Sequence, residues 1–172
     1  DTVLLYNGRG FTRFNTGMES TSSTGYGVAK YDNEAIPEGF RSQSGKNYTH
    51  APLFWLSVIY LNYAEACAEL GNITQDDLDK SINLLKDRAG LPHLNPIVGF
   101  SDPANNHEVS DLIWEIRRER RCELMFDNDN RYWDLIRWHQ LDKLDTTKYP
   151  DIILGANVAN DMDGCEANKV GK

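Results

Sequence analysis

Between Leu53 and Gly90 the apolar residues recur at helical spacing in two runs, parted by a break with room only for a turn. In the first run, LFWLSVIYLNYAEACAEL (53–70), Leu56, Ile59, Tyr60, Tyr63, Cys67 and Leu70 follow the helical period. Asn62, Glu65 and Glu69 make only a narrow polar stripe, so this helix is expected to be buried on most sides. Gly71 is its stop signal. Thr74, with Asp77 three residues on, resembles a capping box for the second helix. There Leu78, Ile82, Leu85 and Ala89 form one apolar stripe before Gly90 and Pro92 end it. Helices joined this closely pack antiparallel as a hairpin.

The remaining chain is read around this pair. Residues 92–109, with Pro92, Pro96 and Pro103, are a loop. Ser110 caps a third helix running to about Phe126, and a polar break at 127–130 leads into a fourth over about 131–139. Residues 1–50 are irregular and rich in Gly, Ser, Thr, Asn and Tyr, with a short strand expected at YGVAKY (26–31). A segment of that kind is usually functional or disordered. The expected organisation is a loop-rich variable segment at 1–50, a helical region at 51–149, and a loop or frayed tail at 150–172. At 172 residues the chain suits one domain, or half of something larger, and can bury a core.

Charge narrows the function. The formal net charge is -8, which disfavours non-specific nucleic-acid binding. No apolar run approaches roughly 18 residues, so no transmembrane span is expected. Cys67, Cys122 and Cys165 are odd in number and lack paired spacing, against a disulfide framework or a CxxC zinc site. Cys67 and Cys122 are read as small buried hydrophobes. No two of His50, His93, His107 and His139 stand at ligand spacing, and no nucleotide or cofactor fingerprint is present, so neither metal nor cofactor is expected.

RRERRCELMFDNDNRYWDLIRW (117–138) is the densest charged stretch. Arg117, Arg118, Arg120 and Arg121 suggest a phosphate patch, but Asp111, Glu115, Glu119 and Glu123 cancel them, and phosphate binding needs uncompensated positive charge. Glu115 and Arg118 stand at a spacing that allows pairing within the helix. The carboxylates Glu119, Glu123 and Asp134 could form a catalytic pair, yet arginine neighbours hold acids ionised, which suits a structural ion network better. An EF-hand reading fails because Arg131, Tyr132 and Trp138 stand at the fifth, glycine and closing positions counted from Asp127.

Three blocks in order, YLNYAEACAELGN (60–72), SINLLKDRAGLP (81–92) and IRRERRCELMF…RYWDLIRW (116–138), resemble the C-terminal portion of the SusD/RagB family. The likeness covers about residues 50–145. It implies a mainly α fold, with tetratricopeptide-like helical hairpins carrying long irregular loops. It implies a surface-exposed, outer-membrane lipoprotein of Bacteroidetes that binds glycan without catalysis and delivers it to a TonB-dependent transporter. Attachment to the membrane would run only through a lipid anchor outside this chain, and Cys165 lies near the wrong end to be it. On the family signature, Glu119, Arg120, Arg121, Glu123, Arg131 and Asp134 form the internal ion network, and Trp133 and Trp138 belong to the core. The chain departs from the pattern at Phe126–Arg131, one residue longer than usual, and at Trp55–Val58, where the family often begins its helix with an ion pair.

Glycan contact is expected from the loop aromatics Tyr6, Phe11, Phe14, Tyr26, Tyr31 and Tyr48, which could stack on pyranose faces. Two alternatives stand beside this. One is a helical scaffold that docks on the transporter without touching sugar. The other is a glycoside hydrolase, in which Glu119→Gln would abolish release of reducing ends.

Overall fold

The computed structural model describes residues 5–6, 9–10, 35–41, 45–46, 48, 50, 52–105, 109–127 and 130–154. Phe11, Phe14, Tyr26, Tyr31, the expected strand at 26–31, Asp129 and Cys165 lie outside the described residues. The described part is mainly α. The chain forms two compact units, one comprising 1–51 with 141–172 and the other 52–140.

In the first unit, strands β1 (Leu5–Tyr6) and β2 (Arg9–Gly10) pair antiparallel, Leu5 opposite Gly10 and Tyr6 opposite Arg9. A single helical turn, α1, spans Glu38–Arg41. The segment after residue 140, expected to turn irregular only past Tyr149, holds two 3-10 turns at Leu141–Leu144 and Pro150–Ile153.

The second unit is helical: α2 (Leu56–Glu69), α3 (Gln75–Asp79), α4 (Ile82–Ala89), α5 (Asp111–Glu123) and α6 (Asn130–Arg137). Local chemistry sets the helix ends. Thr74 accepts from the Asp77 amide while the Asp77 carboxylate accepts from the Thr74 amide, a complete capping box. Ser110 caps α5 by accepting from the Ile113 amide. Gly90 closes α4 at φ +66, and the Leu91 amide reaches back to the Lys86 carbonyl. The expected single helix over 74–89 is broken. Ser81 leaves helical geometry (φ -134, ψ -99), and its hydroxyl donates to the Asp77 carbonyl.

The core gathers Leu61, Ala64 and Ala68 of α2, Leu78, Ile82 and Leu85 of α3 and α4, Leu94 of the following loop, and Ile116 and Leu124 of α5 and its exit. The most extensive packing joins α2 to α5. Asn83, fully buried, donates to the Leu94 carbonyl (3.0 Å) and accepts from the Leu94 amide (2.7 Å). That pair of bonds pins the proline-bearing loop against α4 and satisfies both backbone groups of a buried residue.

Four expectations are corrected here. Helix α2 is not buried on most sides: Ser57, Leu61, Ala64, Glu65 and Ala68 form its buried face, while Leu56, Ile59, Tyr63 and Leu70 are exposed. Small alanines and a paired glutamate flank Leu61 on this face and give α5 a close seat, and Leu56, Ile59, Tyr63 and Leu70 fall outside it. Ala89, one turn beyond Leu85, is exposed at the end of α4. Cys122 is exposed, because it lies away from the Ile116–Arg120 face of α5 that packs inward. Trp133 is exposed and not part of the core, because α6 buries Asp134 and Leu135 instead.

Candidate ligand groove

Helix α5 resolves the mixed charges of RRERR. It turns acids toward α4 and cations toward α2 and α6. On the α4 side, Lys86 Nζ meets Glu119 Oε2 at 2.9 Å, with both side chains about nine-tenths buried, and Arg88 pairs with Glu123. Glu115 pairs with Arg118 of its own helix, and its other oxygen, Oε1, is buried without a hydrogen bond. A cavity of about 430 Å³ lies beside these residues, walled by apolar Leu91, Ile97, Val98 and Phe100.

On the other side, Arg120 and Asp134 form a buried pair, Nε to Oδ2, at 2.7 Å. Arg120 also donates to the Asn62 side-chain oxygen at 2.7 Å. Glu65 of α2 is the hub. Arg137 grips it with two bonds, of 2.8 and 2.5 Å, and the Trp138 indole N–H donates to it at 2.7 Å. Arg137 Nε donates to Asp134 at 2.9 Å and so joins the two acids. Arg117 reaches Glu69 at 3.2 Å and Glu65 only at 3.7 Å. The Trp138 ring carries the guanidinium groups of Arg117 and Arg137, each 4.6 Å from its centroid, a cation–π arrangement.

Burial alone would push the Glu65 carboxyl up, but the bonds and charge of Arg137, with the Trp138 N–H, hold its pKa below the ordinary 4.5. Burial lowers Arg137, and Glu65 and Asp134 more than reverse it. Arg131 is lowered, first by burial and then by the positive charge of Arg121.

Of the six residues expected in the network, Arg120 meets Asp134 directly, while Glu119 and Glu123 face the cations of α4. Arg121 is exposed, and Arg131 is half-buried with its guanidinium 5.9 Å from the Trp138 ring centroid, so these two stand apart from the pairs. Residue reasoning passed over Glu65, Asn62, Arg137, Lys86 and Arg88. A signal existed for Glu65: it stands one turn from Leu61 and beside Ala64, on the face that packs.

The charged set floors a groove of about 580 Å³ between α2, α5 and α6. Its rim carries Trp133, 61% exposed, whose ring meets Tyr132 edge to face at 5.7 Å. Asn62, Glu69 and Asn130 add polar atoms to the lining. Of the loop aromatics, Tyr48 is exposed and meets the Phe40 ring edge to face at 6.2 Å. Tyr6 lies in β1. Among the described residues no three His, Cys, Asp or Glu side chains gather as a metal cluster, and no helix is long and apolar enough to cross a membrane.

The family of the chain is shown by its sequence. A model described as the SusD family matches residues 6–167, and the chain belongs to that family. No curated protein and no solved structure matches the chain. The SusD family is in general one of non-catalytic, glycan-binding proteins of nutrient uptake, typically outer-membrane surface lipoproteins associated with a transporter.

Proposed function

We propose that this chain binds an oligosaccharide or polysaccharide at the bacterial surface, without catalysis, and hands it to a TonB-dependent outer-membrane transporter. The observation that carries the reading is the family match over nearly the whole chain. Helix α2 with α3 and α4 serves as one tetratricopeptide-like hairpin of the scaffold. The ion pairs of α5 and α6, with Glu119, Arg120, Glu123 and Asp134 among them, hold the helices in register. Tyr6, Phe11, Phe14, Tyr26, Tyr31 and Tyr48 are the candidates for stacking on pyranose faces.

The geometry gives little support to a hydrolase. Glu65 is held ionised, and Glu119 is tied to Lys86, whereas a glycosidase needs one carboxyl kept protonated. A second reading, a scaffold docking on the transporter alone, draws on the exposed apolar residues of α2: Leu56, Ile59 and Leu70. Native electrophoresis in gels cast with a polysaccharide panel separates the readings. Retardation by one polysaccharide supports glycan binding. Co-purification of the transporter with no retardation supports the scaffold.

A further inference from the structure

We infer that the groove between α2, α5 and α6 is a sugar subsite selective for uncharged glycan, with the Trp133 ring as its stacking platform. The inference rests on the glycan-binding reading and adds to it a place and a ligand class. Burial does not account for Trp133. At 61% exposure it contributes little to the core, although α6 has inward positions taken by Asp134 and Leu135. An exposed aromatic face with polar groups beside it supplies the two kinds of contact that a small-ligand site combines. A pyranose ring presents an apolar C–H face suited to an indole, and its hydroxyls require polar partners at the edge. Asn62 supplies one such partner: Arg120 takes its side-chain oxygen, and its amide hydrogens have no partner among the described residues. Glu69, its side chain half exposed, is an acceptor on the same wall.

Trp138, by contrast, is not a platform. Guanidinium groups lie over its ring, and its N–H is committed to Glu65.

The charge of the lining sets the class of sugar. Three arginines, Arg117, Arg120 and Arg137, face three carboxylates, Glu65, Glu69 and Asp134, and each arginine already holds at least one of them. A uronate or a sulfated sugar would find every arginine of the lining already paired and would meet three acids in a partly desolvated space. Hydroxyls carry no such penalty. Neutral hexose or pentose units are therefore favoured over acidic ones.

The test is affinity electrophoresis of the protein and its Trp133→Ala and Trp133→Phe variants, in gels holding either uncharged polymers (α-glucan, β-glucan, mannan, xylan) or uronic-acid polymers (polygalacturonate, alginate). A melting curve of each variant runs alongside. The expected result is retardation of the wild type by an uncharged polymer. Trp133→Ala should weaken it by roughly tenfold, and Trp133→Phe should restore part of the loss. Melting temperatures should not change. Equal retardation of wild type and Trp133→Ala by the same polymer overturns this subsite and leaves the glycan-binding reading standing. Preferential retardation by a uronic-acid polymer overturns the ligand class. Absence of retardation by every polymer overturns the glycan-binding reading together with the subsite.

Discussion

Glu65 holds three elements to one carboxylate. It sits in α2, accepts two bonds from Arg137 of α6 and one from Trp138, and lies within ion-pair reach of Arg117 of α5. Removing its charge leaves the Arg137 guanidinium without its main counter-ion in a partly buried place. Breaking one side of a fully buried pair costs about 3 kcal/mol or more, but Arg137 is 42% exposed and keeps Asp134, so Glu65→Gln should lose less, about 2 kcal/mol, in a urea titration at neutral pH. The pH dependence has a definite sign. The folded pKa of Glu65 lies below its ordinary 4.5, so its contribution is full above that value and is lost as pH falls through the folded pKa. The stability gap between wild type and Glu65→Gln should therefore narrow on acidification from about pH 5. A gap of constant size down the acid limb would mean that the glutamine loses packing and not charge. Glu65 shows why the site was only partly legible in the sequence. A carboxylate between apolar positions reads as a solvent stripe unless its partners, 52 to 73 residues away, are known to converge on it.

At the scale of the element, capping chemistry was the most readable signal. Thr74, Ser110 and Gly90 act through neighbours within a few residues, and the helix ends they set are where the sequence places them. Thr74→Ala should cost about 1 kcal/mol by removing the acceptor for the Asp77 amide. The face of α2 was misread for a physical reason. Hydrophobicity ranks Leu56, Ile59 and Leu70 above Ser57, Ala64 and Glu65, but the close approach of α5 selects small side chains and internally paired charges. The break at Ser81 also escaped, because Leu78, Ile82 and Leu85 keep an unbroken apolar stripe across it and all three are buried. Asn83 was passed over as one polar letter in SINLLKDRAGLP, yet it anchors the loop that follows α4. Asn83→Ala strands the amide of buried Leu94, whose carbonyl keeps only the longer bond from the Gln75 side chain, at 3.2 Å. The expected loss is about 2 kcal/mol, with faster hydrogen exchange at the Leu94 amide than at the α4 amides before it. Unchanged exchange at Leu94 would show that the loop holds its place without the asparagine.

For the molecule as a whole, family resemblance was legible because three blocks keep their order between residues 60 and 138, and the matched region extends to 6–167. The glycan was not legible, since a stacking aromatic and a packing aromatic are the same letters. Trp133 shows this directly, having been read as core and found exposed. Charge separates the possibilities at this scale. The chain carries -8, while the groove lining is internally balanced. An acidic molecule that bound a charged ligand would show a strong dependence on ionic strength, because between about 0.01 M and about 1 M salt the Debye length falls from about 30 to about 3 Å. A neutral sugar stacked on an indole has no charge to screen, and the buried Arg120–Asp134 pair beneath it is screened far less than a surface pair. Titrations of an uncharged oligosaccharide across that salt range should give nearly constant affinity. A steep loss at high salt would instead mean that a charged group of the ligand meets the protein, and the neutral groove would not be where it binds.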